Sequence, residues 1–257
     1  MSEFILKHQE GGVLTLTFNR VDKKNALLGE MYVDLAEALE GAVGDDAVRA
    51  VVLQGAVEVF TAGNDLLDFL SNPPDASKGH EVPVFRFLEA LRAFPKPIVA
   101  AVCGPAVGVG TTMLMHCDLV YAGDNAAFSM PFVNLGVCPE AGSSLLFQNL
   151  VGYHRAAEKL MLGEPFYAEE ALEMGLVNRI LPPHEVNSYA QAQAAKLAAK
   201  PVTSLRITKA LLKKHQPTLS DVMMEEGMHF SALIRGPAAK EAMSAIMEKR
   251  RPDFSKC

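Results

Sequence analysis

The run Ile98-Val99-Ala100-Ala101-Val102, followed by Cys103-Gly104-Pro105-Ala106-Val107-Gly108-Val109-Gly110, constrains the fold more than any other stretch of this chain. It reads as a short buried strand that breaks at glycines and restarts as a helix. Such a junction leaves free backbone N–H groups at the helix start, where negative charge on a ligand is favoured. Residues 50–53 and 117–122 are further short apolar runs of the kind buried strands show. Val13–Phe18 alternates with a period of two, and Met31, Leu35, Ala38, Leu39 and Ala42 share one helical face. Strands alternating with helices predict an α/β core with crossover connections.

Beyond about residue 143 the texture turns helical, at 145–151, 155–162, 168–174, 185–199, 203–214, 219–233 and 238–249. One strand-like run, 176–181, interrupts it. These helices are expected to cover a sheet edge or build a subunit interface. The polar, proline-containing stretch 71–83 is the candidate mobile loop.

Bulk properties exclude several classes. A net charge of −6 gives no basic stripe for nucleic acid. No apolar run reaches the roughly 18–20 residues of a membrane span, and the opening residues lack a basic-then-apolar signal. Cys103, Cys117, Cys138 and Cys257 have no C-x-x-C spacing and read as reduced thiols of an intracellular protein. The seven histidines show no metal-ligand spacing, so no metal is expected. Ser255-Lys256-Cys257 is only loosely similar to a peroxisomal tripeptide. The expected compartment is the cytoplasm if the source is bacterial, with the peroxisome left open.

The Gly104–Gly110 spacing is superficially that of a dinucleotide site, but it falls on the third or fourth strand rather than the first βα unit. No tyrosine is followed by the Tyr-x-x-x-Lys spacing of short-chain dehydrogenases. Two readings of the glycines remain, an anion cradle and close helix–strand packing. Thr61-Ala62-Gly63-Asn64-Asp65-Leu66 is a second turn of this type, read alone as an ordinary turn with an N-cap. Backbone N–H groups from two separate turns can also hold one oxygen of a thioester as it becomes an enolate.

The chain resembles the crotonase (enoyl-CoA hydratase/isomerase) superfamily. The resemblance is carried by Asn19-Arg20, Lys24-Asn25-Ala26, Thr61 to Asp65, Lys96 to Val102, Cys117-Asp118 and Gly175-Leu176-Val177. It implies a ββα superhelix core over residues 1–195, with a C-terminal helical oligomerisation region over 196–257. It further implies a homotrimer or dimer of trimers and an acyl-CoA substrate, with coenzyme A entering as part of that substrate and no separate cofactor. It places the oxyanion-hole donors on the backbone N–H groups of Asn64 and Val109. Substrate contacts fall on Lys24, Ala26, Ala62, Gly63, Asp65, Leu66, Gly108 and Phe132.

Where hydratases of the family carry two glutamates, this sequence has Thr112 and Phe132, neither of which is a carboxylate base. The remaining acid is Glu140, within Asn134-Leu135-Gly136-Val137-Cys138-Pro139-Glu140-Ala141-Gly142. That pattern is similar to the Δ3,Δ2-enoyl-CoA isomerase branch, in which one carboxylate moves a proton from C2 to C4. Apolar neighbours Phe132, Leu135 and Val137 are expected to desolvate Glu140 and raise its pKa. The competing role for Glu140 is a cap on the helix starting near Ala141. Other crotonase chemistry (weak hydration, aromatic-catabolism isomerisation, thioester hydrolysis) and non-catalytic acyl-CoA binding are the alternatives.

Lesser candidates have structural expectations. Asp65 is expected to cap its helix and Asp118 to make a structural hydrogen bond. Lys209, Lys213 and Lys214 read as a solvated helix face or as partners of the coenzyme A phosphates. Met113, Leu114, Met115, Leu66, Leu67, Phe69 and Leu70 are core or acyl-channel residues, with 69–83 setting chain length.

Overall fold

The computed structural model of the chain describes residues 3–214 and 219–254. The 255–257 tripeptide, Cys257 and His215 lie outside the described residues. Strands β1 (Ile5–Glu10), β2 (Val13–Phe18), β3 (Ala50–Gln54), β4 (Ile98–Val102), β6 (Leu119–Gly123) and β9 (Arg179–Leu181) form the larger sheet, in the order β1-β2-β3-β4-β6-β9. Only the β1–β2 pair is antiparallel. The parallel strands are short and apolar throughout because both faces are covered. On one face Val51, Leu53, Ile98, Ala100 and Val102 join a core with α1 (Gly29–Gly44) and α3 (Pro83–Ala93). On the other, Ala50, Val52, Val99 and Ala101 pack with Val186, Ala190 and Ala194 of α8 (Pro183–Ala198). The period of two along each strand sorts neighbouring residues into the two cores.

A smaller sheet is built from β5 (Pro105–Val107), β7 (Ala127–Ser129) and β8 (Phe166–Tyr167). Isolated pairings of Thr61 with Ala106 and of Leu27 with Asn64 extend it. The chain winds as a superhelix. A strand of the large sheet is followed by a sharp bend, a short strand of the small sheet and then a helix: β4, Gly104, β5, then α4 (Val109–Thr112). Gly104 has φ +62°, and a Cβ there would sit 2.0 Å from the Glu58 carbonyl oxygen, so no side chain fits this bend. The fold class expected from the sequence is the one observed.

The remaining helices are α2 (Leu66–Ser71), α5 (Ser143–Val151), α6 (Tyr153–Leu162), α7 (Ala168–Glu173), α9 (Val202–Lys213), α10 (Leu219–Leu233) and α11 (Pro237–Met247). Residue 195, the expected end of the core, falls inside α8. The C-terminal helices α10 and α11 fold back over the core: Phe230 packs edge-on against Phe69, and Ala239 belongs to the main core cluster. The strand-like run 176–181 is narrower than expected. Only Arg179–Leu181 pairs, while Asn178 spends its side-chain oxygen accepting the Val120 N–H. The 71–83 stretch is not a plain loop. It holds a 3-10 turn at Ala76–Glu81, started by Asp75 and tied to α10 by a Ser231 Oγ that accepts the Ala76 N–H. No helix among the described residues is long and apolar enough to cross a membrane.

Candidate active site

Thr61 organises the first turn: its hydroxyl donates to the Asn25 carbonyl at 2.6 Å and accepts the Gly63 N–H at 3.1 Å. Gly63 then turns at φ +85°, and its carbonyl accepts the Leu27 N–H while the Asp65 N–H donates to the Leu27 carbonyl. Both bonds centre on Leu27, so the Asn64 N–H faces the other way, and it donates to no group among the described residues. Lys24 and Ala26 meet this turn through their main chain, Lys24 accepting the Ala62 N–H and Ala26 holding the Arg20 guanidinium. Lys24 itself is exposed.

Asp65 is an N-cap, as its sequence position predicts: Oδ1 accepts the Leu67 and Asp68 N–H groups of α2, and Oδ2 pairs with Arg20 at 2.7 Å. Burial works to raise its carboxyl, but Arg20 and the two N–H groups outweigh burial and hold it below the ordinary value. Its role is to fix the turn.

The second turn forms at Gly108, whose φ of +57° starts α4. The Gly108 N–H is used by Ser129, whereas the Val109 N–H donates to nothing among the described residues. Asn64 and Val109 both line one apolar cavity of about 220 Å³, together with Leu66, Phe69, Phe132, Val137 and Phe230. Leu67 points to solvent, and Met113 and Leu114 lie in the core rather than in this cavity. The two turns bring together donors 45 positions apart in sequence, which is what one oxyanion requires.

Glu140 stands on the same turn as Val137, 7% exposed. It opens on a second cavity of about 270 Å³ shared with Phe85, Leu88, Met223 and Gly227. Its Oε1 accepts a 2.5 Å hydrogen bond from Thr112 Oγ1. Burial pushes the carboxyl up to about 7 against that bond, with Glu226 adding to the rise. The helix-cap role falls to another residue. α5 begins at Ser143, and its first N–H groups, those of Gly142 and Ser144, are taken by Glu226 of α10 at 2.5 and 3.0 Å. The Glu140 carboxyl thereby takes no N–H of α5, although its main-chain carbonyl accepts the Ser143 N–H. Ala141 beside it has φ +61°, strained for a residue with a Cβ, and its carbonyl is bonded by His116 Nε2 at 2.8 Å. Burial drives His116 down to about 4, so the ring is neutral and Nε2 is the donor.

Tyr32 and Glu226 were not singled out by sequence reasoning. Tyr32 donates to the Asn64 side-chain oxygen, and burial first, then Glu140 and Asp68, hold its phenol well above the ordinary value. Its only sequence signal is a phenol on the apolar face of α1. Lys209 departs from the expected solvated face or phosphate contact: it is buried, paired with Asp118 at 2.7 Å and bonded to the Lys96 carbonyl. Asp118 also accepts the Ile98 N–H, as its structural expectation holds.

A family model described as enoyl-CoA hydratase/isomerase matches residues 8–256. The chain belongs to the enoyl-CoA hydratase/isomerase family. It is 37% identical to enoyl-CoA delta isomerase 2 of Rattus norvegicus, covering 96% of this chain and 63% of that protein, so the chain spans less than two thirds of that relative. It is 34% identical to 1,2-epoxyphenylacetyl-CoA isomerase of Escherichia coli, over 99% of both chains. Among solved structures, Pseudomonas aeruginosa OdaA superposes with a TM-score of 0.92 at 48% identity, covering 96% of this chain and 99% of that one. Relatives named as hydratase and dehalogenase stand at 34% and 32% identity. This family member is therefore a crotonase-type enzyme of acyl-CoA chemistry, and its relatives differ in reaction.

Proposed function

We propose that the protein is a Δ3,Δ2-enoyl-CoA isomerase, converting 3-enoyl-CoA to trans-2-enoyl-CoA. The observation that carries this reading is a buried carboxyl, Glu140, that opens on a cavity, is bonded to Thr112 and is raised to about 7, while neither Thr112 nor Phe132 can act as a second acid or base. The thioester oxygen accepts from the Asn64 and Val109 N–H groups. Ionised Glu140 removes the C2 proton, and the electron pair spreads through the dienolate onto that oxygen, where the two donors stabilise it. The same carboxyl, now protonated, returns the proton at C4 and leaves the double bond between C2 and C3. No atom is gained or lost. Water addition asks for a positioned nucleophile and a second proton-transfer group, which the Thr112 and Phe132 positions do not supply.

The acyl segment beyond C4 enters the Glu140 cavity, bounded by α3, α10 and the 76–81 turn. A second reading, isomerisation in aromatic catabolism, is favoured by the full-length similarity to the E. coli epoxide isomerase. A homotrimer or dimer of trimers is supported by apolar residues exposed on the outer helices, among them Met161, Leu211, Leu212 and Met247. Sedimentation equilibrium counts the chains.

The pH dependence tests the role of Glu140. A base with a pKa near 7 makes kcat/KM for 3-enoyl-CoA rise about tenfold per pH unit below 7 and level off above it. Thr112→Val removes the bond that favours the charged form, so this limb moves to higher pH. A flat profile, or a limb unmoved in the variant, contradicts the assignment.

A further inference from the structure

We propose that Glu226 is a positioning residue for Glu140: from α10 it anchors, on both sides, the turn that carries the catalytic carboxyl. This rests on the reading of Glu140 as the base. The contacts fall on both sides of Glu140. Glu226 Oε2 and Oε1 accept the Gly142 and Ser144 N–H groups, and its carbonyl accepts from Cys138 Sγ at 3.6 Å. Between these anchors lies Ala141 with its left-handed φ of +61°, a conformation that persists only where surrounding contacts impose it. Gly142 packs closely against α10, where a Cβ would meet Leu219 Cδ1 at 2.4 Å. α10 is thus pressed onto the turn.

A helix N-terminus of nine residues needs an acceptor for its free N–H groups, and any hydroxyl or amide would serve. A carboxyl in that place does more: burial raises Glu226 itself against the Ser144 and Gly142 bonds that favour its charged form, and where it is ionised its charge disfavours ionisation of Glu140. The other titratable groups around Glu140 are Tyr32 of α1, His80 of the 76–81 turn, Glu89 of α3, His116, and Cys138 on the turn itself. Burial keeps Tyr32 and Cys138 neutral near pH 7 and His116 uncharged. Glu89 is paired bidentately with Arg92. Glu225, next to Glu226, faces His229. On α10, Glu226 is the carboxyl that bears on Glu140.

Glu226→Gln keeps the shape and one acceptor oxygen while removing the charge and one N–H bond. Expected are a kcat lower by about ten- to a hundredfold, as for a small misplacement of a reacting group, a KM within twofold, and the acidic limb of the pH profile moved to lower pH. Glu226→Ala, which removes both bonds, lowers kcat further. If Glu226→Ala does not fold, Glu226→Gln carries the test. A folded Glu226→Gln protein with wild-type kcat and an unmoved limb, whatever its Tm, makes Glu226 a helix cap only and overturns the proposal. If Glu140→Gln also retains full turnover, the underlying assignment of the base has failed; if Glu140→Gln is inactive, only the proposal for Glu226 has failed.

Discussion

Glu140→Gln lowers kcat for 3-enoyl-CoA isomerisation by about 10³-fold, in the range lost with a positioned acid–base group, and leaves KM nearly unchanged. The amide fills the same space and still accepts from Thr112, so binding is preserved while the proton has no carrier. Stability moves the opposite way. In the unfolded chain the carboxyl titrates near its ordinary 4.5, and in the folded protein at about 7, so the folded state holds the proton more tightly. Between those values stability falls as pH rises, and above about 7 the full penalty, about 3 kcal/mol, is present. Urea unfolding at pH 8 should find Glu140→Gln more stable than wild type by roughly that amount, and near pH 4.5 the two should coincide. Equal stability at pH 8 would show that the carboxyl is not held in a desolvated site. Unchanged turnover would remove Glu140 from the reaction.

Gly63→Ala separates the two peptide turns and lowers kcat by about 10²- to 10³-fold, the loss of one oxyanion donor. The glycine sits at φ +85°, and a Cβ would lie 2.6 Å from the Val107 carbonyl oxygen. That oxygen is backbone, so the 61–65 turn must move away from the 107–110 turn, taking the Asn64 N–H with it. Gly11→Ala is the control. It has φ +56° in the β1–β2 hairpin with nothing within 4 Å, so it carries the same left-handed strain without a clash and leaves kcat unchanged. A Gly63→Ala protein that folds and turns over normally would show that the spacing of the two turns is immaterial.

What the sequence made legible was local. Strands β3 and β4 could be read because burial on both faces writes itself as an unbroken apolar run, and the Gly104 and Gly108 bends because glycine supplies their φ. α3 carried the right signal, with Val84, Phe87, Leu88 and Leu91 at helical spacing behind a first-turn proline, yet its position beside a polar stretch hid it. Glu140 was legible as an acid among apolar residues, but its two competing roles were not separable locally. The residue that decides between them, Glu226, is 84 positions from Gly142 in sequence. Lys209 was misread for the same reason: a lysine spacing on a helix looks alike whether it meets water or, as here, Asp118 from 91 residues away. Tyr32 reaches Asn64 across 32 residues and left no trace beyond its type.

One carboxyl, with two peptide N–H groups, suffices to move a double bond in the proposed reaction. Incubating the purified protein separately with a 3-enoyl-CoA and with the matching trans-2-enoyl-CoA, and resolving the products by mass and retention time, tests it most directly. Expected are conversion of the 3-enoyl thioester to the 2-enoyl isomer of equal mass, and at most slow formation of the hydrated product. Rapid hydration of the 2-enoyl thioester with the 3-enoyl thioester left untouched would contradict it.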